Sequence, residues 1–164
     1  MSIFYKKKKS KRRLLREKIL QALYAYYFNK TDSDIVKKSF TDDIDNEEDR
    51  EFFTRYLTKV ILNDERFDAD IEMKIFNWEL ERIALIDRIL IKMGLAEFLS
   101  FPDIPTKVTI NELIEVAKEF STFQSGKFIN GILDKILADY IKDGMIKKEG
   151  RGLVTNSFRK AVKE

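Results

Sequence analysis

Residues 79–100, ELERIALIDRILIKMGLAEFLS, decide the fold. Leu80, Ile83, Ala84, Ile86, Leu90, Ile91, Met93, Gly94, Leu95 and Phe98 leave little of the helical circumference polar. A helix that is apolar around most of its girth is a buried one, so this segment is expected to run through the middle of the molecule with other helices around it. Phe101-Pro102-Asp103-Ile104-Pro105 must end it, because proline lacks a backbone donor and turns the residue before it away from helical geometry.

Working outward, Thr109-Ile110-Asn111-Glu112 has the spacing of a capping box, opening a helix through Leu113, Ile114, Val116, Ala117 and Phe120. Ser121 or Ser125 is expected to cap the next, which runs to about Lys142 with Phe128, Ile129, Ile132, Leu133, Ile136 and Tyr140 inside and Gly144 as its stop. On the amino-terminal side, Leu15, Ile19, Ala22, Leu23 and Tyr26 recur at helical spacing and predict a helix over roughly 11–28, closed near Asn29 by the turn Thr31–Asp34. A short helix over Asp34–Phe40 follows, then acids from Asp42 to Asp49 whose charges are expected to be solvated. Phe52, Phe53, Tyr56, Leu57, Val60 and Ile61 predict a helix over 47–62, and Phe67, Ile71, Ile75 and Phe76 another from Asp64 to Trp78. The expectation is an all-α, compact bundle of about seven helices in two small helical subdomains. A basic arm (1–11) precedes the helical domain (12–146), and a basic tail (147–164) follows it, disordered or helical only at its end near Phe158.

Composition agrees with helices: 44% of the 164 residues are hydrophobic and 36% charged, with two prolines and six glycines. The chain has neither cysteine nor histidine, which removes disulfides, thiolate nucleophiles, the commonest general base and the usual transition-metal ligands. Glu79, Glu81, Asp87 and Glu97 fall on one segment and carboxylates alone can do acid–base or metal work, but no glycine-rich phosphate loop accompanies them. Neither an enzyme nor a bound cofactor or metal is expected. No apolar run approaches a membrane span, and the basic start leads into a charged helix rather than a secretory core, so a soluble cytoplasmic protein is expected.

Charge is concentrated at one end. Nine basic residues and one acid, Glu17, give the first twenty residues +8; the whole chain carries +3, which leaves −5 for residues 21–164. A basic arm on a mildly acidic body suits a polyanion, since each neutralised phosphate releases counterions. A solvated, solubilising tail fits the basic run equally well.

Three local strings narrow this choice. Arg12-Arg13-Leu14-Leu15-Arg16-Glu17 with Gln21-Ala22-Leu23-Tyr24, then Asp103 through Glu112 (DIPTKVTINE), then Lys127 through Lys135 (KFINGILDK) stand in order at compatible separations. Together they resemble the NusB family of transcription antitermination factors over about residues 12–142. The resemblance implies a small all-helical protein whose first and last helices present an RNA surface. Its implied partners are boxA-type single-stranded RNA of ribosomal transcripts, the small-subunit ribosomal protein NusE and the RNA polymerase antitermination complex; a homodimer is left open. The implied RNA contacts are Arg12, Arg13, Arg16, Tyr24, Gln124, Lys127 and Phe128, and the implied NusE contacts are Glu81, Asp87 and Leu90. Gly94 and Ala96 depart from the family pattern on that central segment.

The residues themselves support these roles unevenly. Arginine stacks on bases and forks onto phosphates better than lysine does. Tyr24 projects within about 20° of Arg13, beside the apolar stripe, where stacking on a base and packing on a neighbouring helix are equally plausible. Phe128 lies at the edge of its stripe near Lys127 and Lys135, where core packing competes with base stacking. Gly131, inside a helix, suggests close approach by a neighbouring helix or a ligand, with structural packing the favoured cause. The alternative overall is a helical protein-interaction or dimeric module that binds ribosomal RNA non-specifically.

Overall fold

The computed structural model describes residues 7–76 and 79–153, so Lys6, Trp78 and Phe158 lie outside it. All regular structure among the described residues is helical: α1 (Lys11–Phe28), α2 (Ser33–Thr41), α3 (Glu47–Leu62), α4 (Asp64–Glu72), α5 (Leu85–Ser100), α6 (Thr106–Phe120) and α7 (Ser125–Lys142), with 3₁₀ turns at Leu80–Arg82 and Gly150–Leu153.

The predicted stripes fix most of these elements. Ser10 caps α1 by accepting from the Arg13 amide, and Asn46 caps α3 by accepting from Asp49. Glu47, Glu48 and Asp49 occupy the first turn of α3, where carboxylates favour the positive end of the helix dipole. The acidic stretch is thus partly a helix start rather than a purely solvated loop. Its apolar face follows at once, with Phe52, Tyr56 and Phe101 meeting edge-on or tilted at centroid separations of 5.1–5.6 Å.

The central segment splits in two. Ile83 and Ala84 are extended (ψ 129° and 136°), so the 3₁₀ turn is separated from α5 although Leu80 and Ile83 remain buried. From Asp87 onward α5 is almost wholly enclosed, and it packs on α1, α3, α4, α6 and α7. Helices α1 to α3 pack on one another on one side of it, and α6 packs on α7 on the other. Gly94 makes this possible: a Cβ there would stand 2.7 and 2.9 Å from the Leu133 methyls of α7. Lys92 is buried too, its ammonium 2.5 Å from Asp64 and 2.8 Å from Asp68 and 4.8 Å from the Tyr27 ring centroid.

Three local expectations need correction. Helix α4 ends at Glu72 with Met73 as its cap. The capping-box reading of Thr109 and Glu112 fails because α6 already begins at Thr106 after Pro105; Thr109 is buried one turn inside and donates its hydroxyl to Glu97. The start of the carboxyl-terminal tail is docked, not disordered: Lys148 Nζ donates to the carbonyls of Glu97 (3.1 Å) and Phe101 (2.8 Å), and the Glu149 amide to Pro102. Gly152 lies so close that a Cβ would fall 2.0 Å from the Pro102 oxygen. Gly144 does end α7 as expected, at φ +69° with the Met145 amide bonded back to the Tyr140 carbonyl.

Candidate RNA interface

Helix α1 presents its arginines to three different neighbours. Arg12 lies over the Phe52 ring at 3.9 Å with Nη2 3.4 Å from Glu48. Arg13, a quarter exposed, forks onto Glu112 of α6 at 2.8 and 2.9 Å. Arg16 is only 2% exposed and forks onto Glu97 of α5 at 2.9 and 2.8 Å.

Glu97 is itself fully buried, and its carboxylate also accepts from Tyr56 Oη (2.5 Å) and Thr109 Oγ1 (2.9 Å), so α1, α3 and α6 all converge on one side chain of α5. Burial works against the Arg16 cation, yet the Glu97 charge and its hydrogen bonds outweigh it and raise the guanidinium further. Burial and the same carboxylate push the Tyr56 phenol well above its ordinary value. The reading of Arg16 as an RNA-contacting side chain is therefore corrected: its donors face inward, and it holds the helix that carries Arg12 and Arg13.

Tyr24 is 36% exposed and stacks on Phe28, 65% exposed, at 5.2 Å and 13° between planes. Helical spacing placed Tyr24 at the edge of the stripe; its i+4 aromatic neighbour went unnoticed.

A second surface forms where α6 turns into α7. Ser121 and Ser125 donate to the two oxygens of Asp87 at 2.6 and 2.9 Å, pinning the turn to the first helical turn of α5. Beside it opens a groove of about 1000 Å³. Gln124, Lys127 and Phe128 line it, joined by Phe123, Arg82 and Lys135. Phe123 is fully exposed, as is most of Phe76, which also lines the groove. Lys74 also borders the groove, its ammonium 2.5 Å from Asp139. The one acid on the lining among the described residues, Asp87, is occupied by the two serines, so the groove combines cations with aromatic rings. Such a surface can hold phosphates and stack unpaired bases. Phe123 had a sequence signal, an aromatic alone in the polar run Ser121-Thr122-Phe123-Gln124-Ser125.

Two expected partner contacts are likewise corrected. Leu90 is completely buried, and Asp87 is nearly so and serves the turn; only Glu81 of that trio is exposed. The two surfaces are linked by α6. Lys9 bridges Glu17 of α1 (2.7 Å) and Glu119 (2.5 Å), four residues before Phe123. Among the described residues no group of acids is placed to hold a metal ion, and no helix is long and apolar enough to cross a membrane.

Known proteins resemble this chain in sequence and fold. The sequence profile of the NusB family matches residues 13–138. The transcription antitermination protein NusB of Chloroherpeton thalassium is 41% identical over 145 residues, covering 87% of this chain and 69% of its own. That of Salinibacter ruber is 39% identical over 152 residues, covering 88% and 92%. Thermotoga maritima NusB superposes with a TM-score of 0.73 at 34% identity, over 79% of this chain and 92% of that one. A NusB crystallised with NusE and double-stranded RNA shares the fold at a TM-score of 0.72 and 20% identity, over 79% and 97%. With its profile spanning most of the helical body and relatives near 40% identity along most of its length, this chain belongs to the NusB family.

Proposed function

We propose that the protein is a transcription antitermination factor that binds boxA-type single-stranded RNA of ribosomal transcripts jointly with the ribosomal protein NusE, in the cytoplasm and as part of an RNA polymerase antitermination complex. The observation that carries this reading is the groove at the start of α7, where Phe123 and Phe128 stand beside Arg82, Lys127 and Lys135. In this reading unpaired bases stack on the rings while the cations take phosphates. Gln124 adds an amide at the mouth without a repelling charge. Arg12 and Arg13 exchange their intramolecular acids for phosphates, and Tyr24 with Phe28 offers a further stacking platform. Arg16 contributes by fixing α1, and Asp87 by fixing the turn. Glu81 is the exposed acid available to a basic ribosomal partner, and such rim charges mainly govern association rate and specificity. Support for the joint partner comes from a fold relative that has been crystallised with NusE and RNA.

The test is a filter-binding titration of boxA RNA against a scrambled RNA of equal length, at fixed salt, with and without NusE. Preference for boxA that increases with NusE supports the reading. Equal affinity for both RNAs favours the alternative, a helical module with non-specific ribosomal RNA affinity. The three groove cations, neutralising three phosphates, contribute about −2 to the slope of log K against log salt for single-stranded RNA, and Arg12 and Arg13 steepen it further.

A further inference from the structure

Gly131 is the seventh residue of α7, well inside a helix where glycine is disfavoured. Two ordinary reasons for a glycine are absent. Its backbone is not among the positive-φ glycines, which are Gly144 and Gly150, so no left-handed conformation demands it. Nor does packing: a Cβ built on Gly131 meets no atom within 4 Å, in contrast to Gly94, where it would collide with Leu133. The expectation that a neighbouring helix presses on Gly131 is thereby overturned.

What Gly131 does border is the groove. Lys127 and Lys135 stand four residues before and after it, in the same helical row and about 6 Å away along the axis on either side. Phe128, three residues earlier, adjoins the same bare patch. The result is a half-buried stretch of helix backbone without a side chain, bordering the groove between two lysine positions, with room for a Cβ that the sequence does not supply.

We infer that Gly131 is a nucleotide-contact position: one base of a single-stranded RNA lies flat against the α7 backbone there, while Lys127 and Lys135 take the phosphates on either side. This rests on the groove being the RNA surface and goes further by naming where a base must approach the main chain. A methyl group at this position projects about 1.5 Å from the backbone, close to half of a van der Waals contact distance, and lifts the base away from the surface that the flanking phosphates fix.

The test compares wild type, Gly131→Ala and the double variant Lys127→Ala/Lys135→Ala, each with NusE, by fluorescence anisotropy on a short labelled boxA RNA, with thermal melting run in parallel. Gly131→Ala is expected to melt about 2–4 °C higher, because alanine is the better helix former and nothing obstructs it. Its RNA affinity is expected to fall by tenfold or more. Replacing one nucleotide after another by an abasic residue should identify a position at which wild type and Gly131→Ala bind alike. Wild-type affinity in the more stable Gly131→Ala protein overturns the inference, as does a lower melting temperature. Wild-type affinity in the double lysine variant overturns the groove reading itself.

Discussion

Exchanging Glu97 for glutamine removes a charge while keeping the side chain's shape, and the structure sets how much that should cost. All four groups around the carboxylate are donors: Arg16 Nε and Nη2, Tyr56 Oη and Thr109 Oγ1. An amide accepts on one side only, so its own N–H groups must face either Arg16 Nε with Tyr56 or Arg16 Nη2 with Thr109. On that side one Arg16 N–H is left facing an N–H, since a hydroxyl can turn to accept but a guanidinium cannot, and a guanidinium that is 2% exposed loses its counter-charge. Breaking a buried pair by neutralising one partner costs about 3–5 kcal/mol. For a chain of this size that corresponds to a fall in Tm of about 6–20 °C. Differential scanning calorimetry measures it directly. Arg16→Met with Glu97→Leu should recover part of the loss, because no charge is then orphaned and Tyr56 retains the Met93 carbonyl at 2.9 Å. Arg16→Met alone should likewise melt lower, since it leaves the Glu97 carboxylate buried without its counter-charge. Melting of Glu97→Gln within about 2 °C of wild type refutes the account of Glu97 as the knot of the fold.

Other expectations follow from single contacts. Burial, opposed by Glu97 and Asp103, lowers the Lys148 ammonium to about 8 from 10.5. The unfolded chain therefore binds the extra proton between those values, and wild-type stability should rise relative to Lys148→Met as pH increases from 8 to 10.5, read as urea midpoints; a flat difference contradicts it. Gly94→Ala should destabilise by about 1–3 kcal/mol because its methyl collides with Leu133, visible as a lower urea midpoint. Phe123→Ser should leave the melting temperature unchanged, as the ring touches water, yet weaken boxA binding by about 1–3 kcal/mol in the same anisotropy titration if it stacks on a base.

Periodicity in the sequence recovered α1, α3 and α7 nearly residue for residue, because each has one apolar stripe that only a 3.6-residue repeat can align. It failed where that signal is degenerate. An apolar run continues through Ile83 and Ala84 whether the backbone is helical or extended, so the break before α5 left no trace. Leu90 and Asp87 were misjudged for a related reason: a segment apolar all round does not announce which side faces a partner. Thr109 and Glu112 fit a capping box, but the same residues serve partners on α5 and α1 that lie close only after folding. Arginine was legible as a cation, whereas its counter-ion was not, since Arg16 and Glu97 are 81 residues apart. The groove was half visible through Lys127 and Phe128; the rest of its lining includes Phe76 and Arg82, about fifty residues earlier in the chain.

The same long separations bear on how the protein is made. Arg13 and Arg16 find their carboxylates 99 and 81 residues later, and Lys148 reaches the Glu97 carbonyl only from the far end of the helical body. During synthesis Arg13 and Arg16 of the first helix thus emerge unanswered and wait while most of the polypeptide is translated. Contacts of such range close late, because loop entropy must be overcome before they form. A nascent chain halted near residue 90 would already hold Glu17, Glu48 and Asp43 for Lys9, Arg12 and Lys18 but would leave Arg13 and Arg16 without their carboxylates, and completing the acid-bearing α5 and α6 is the event that answers those two.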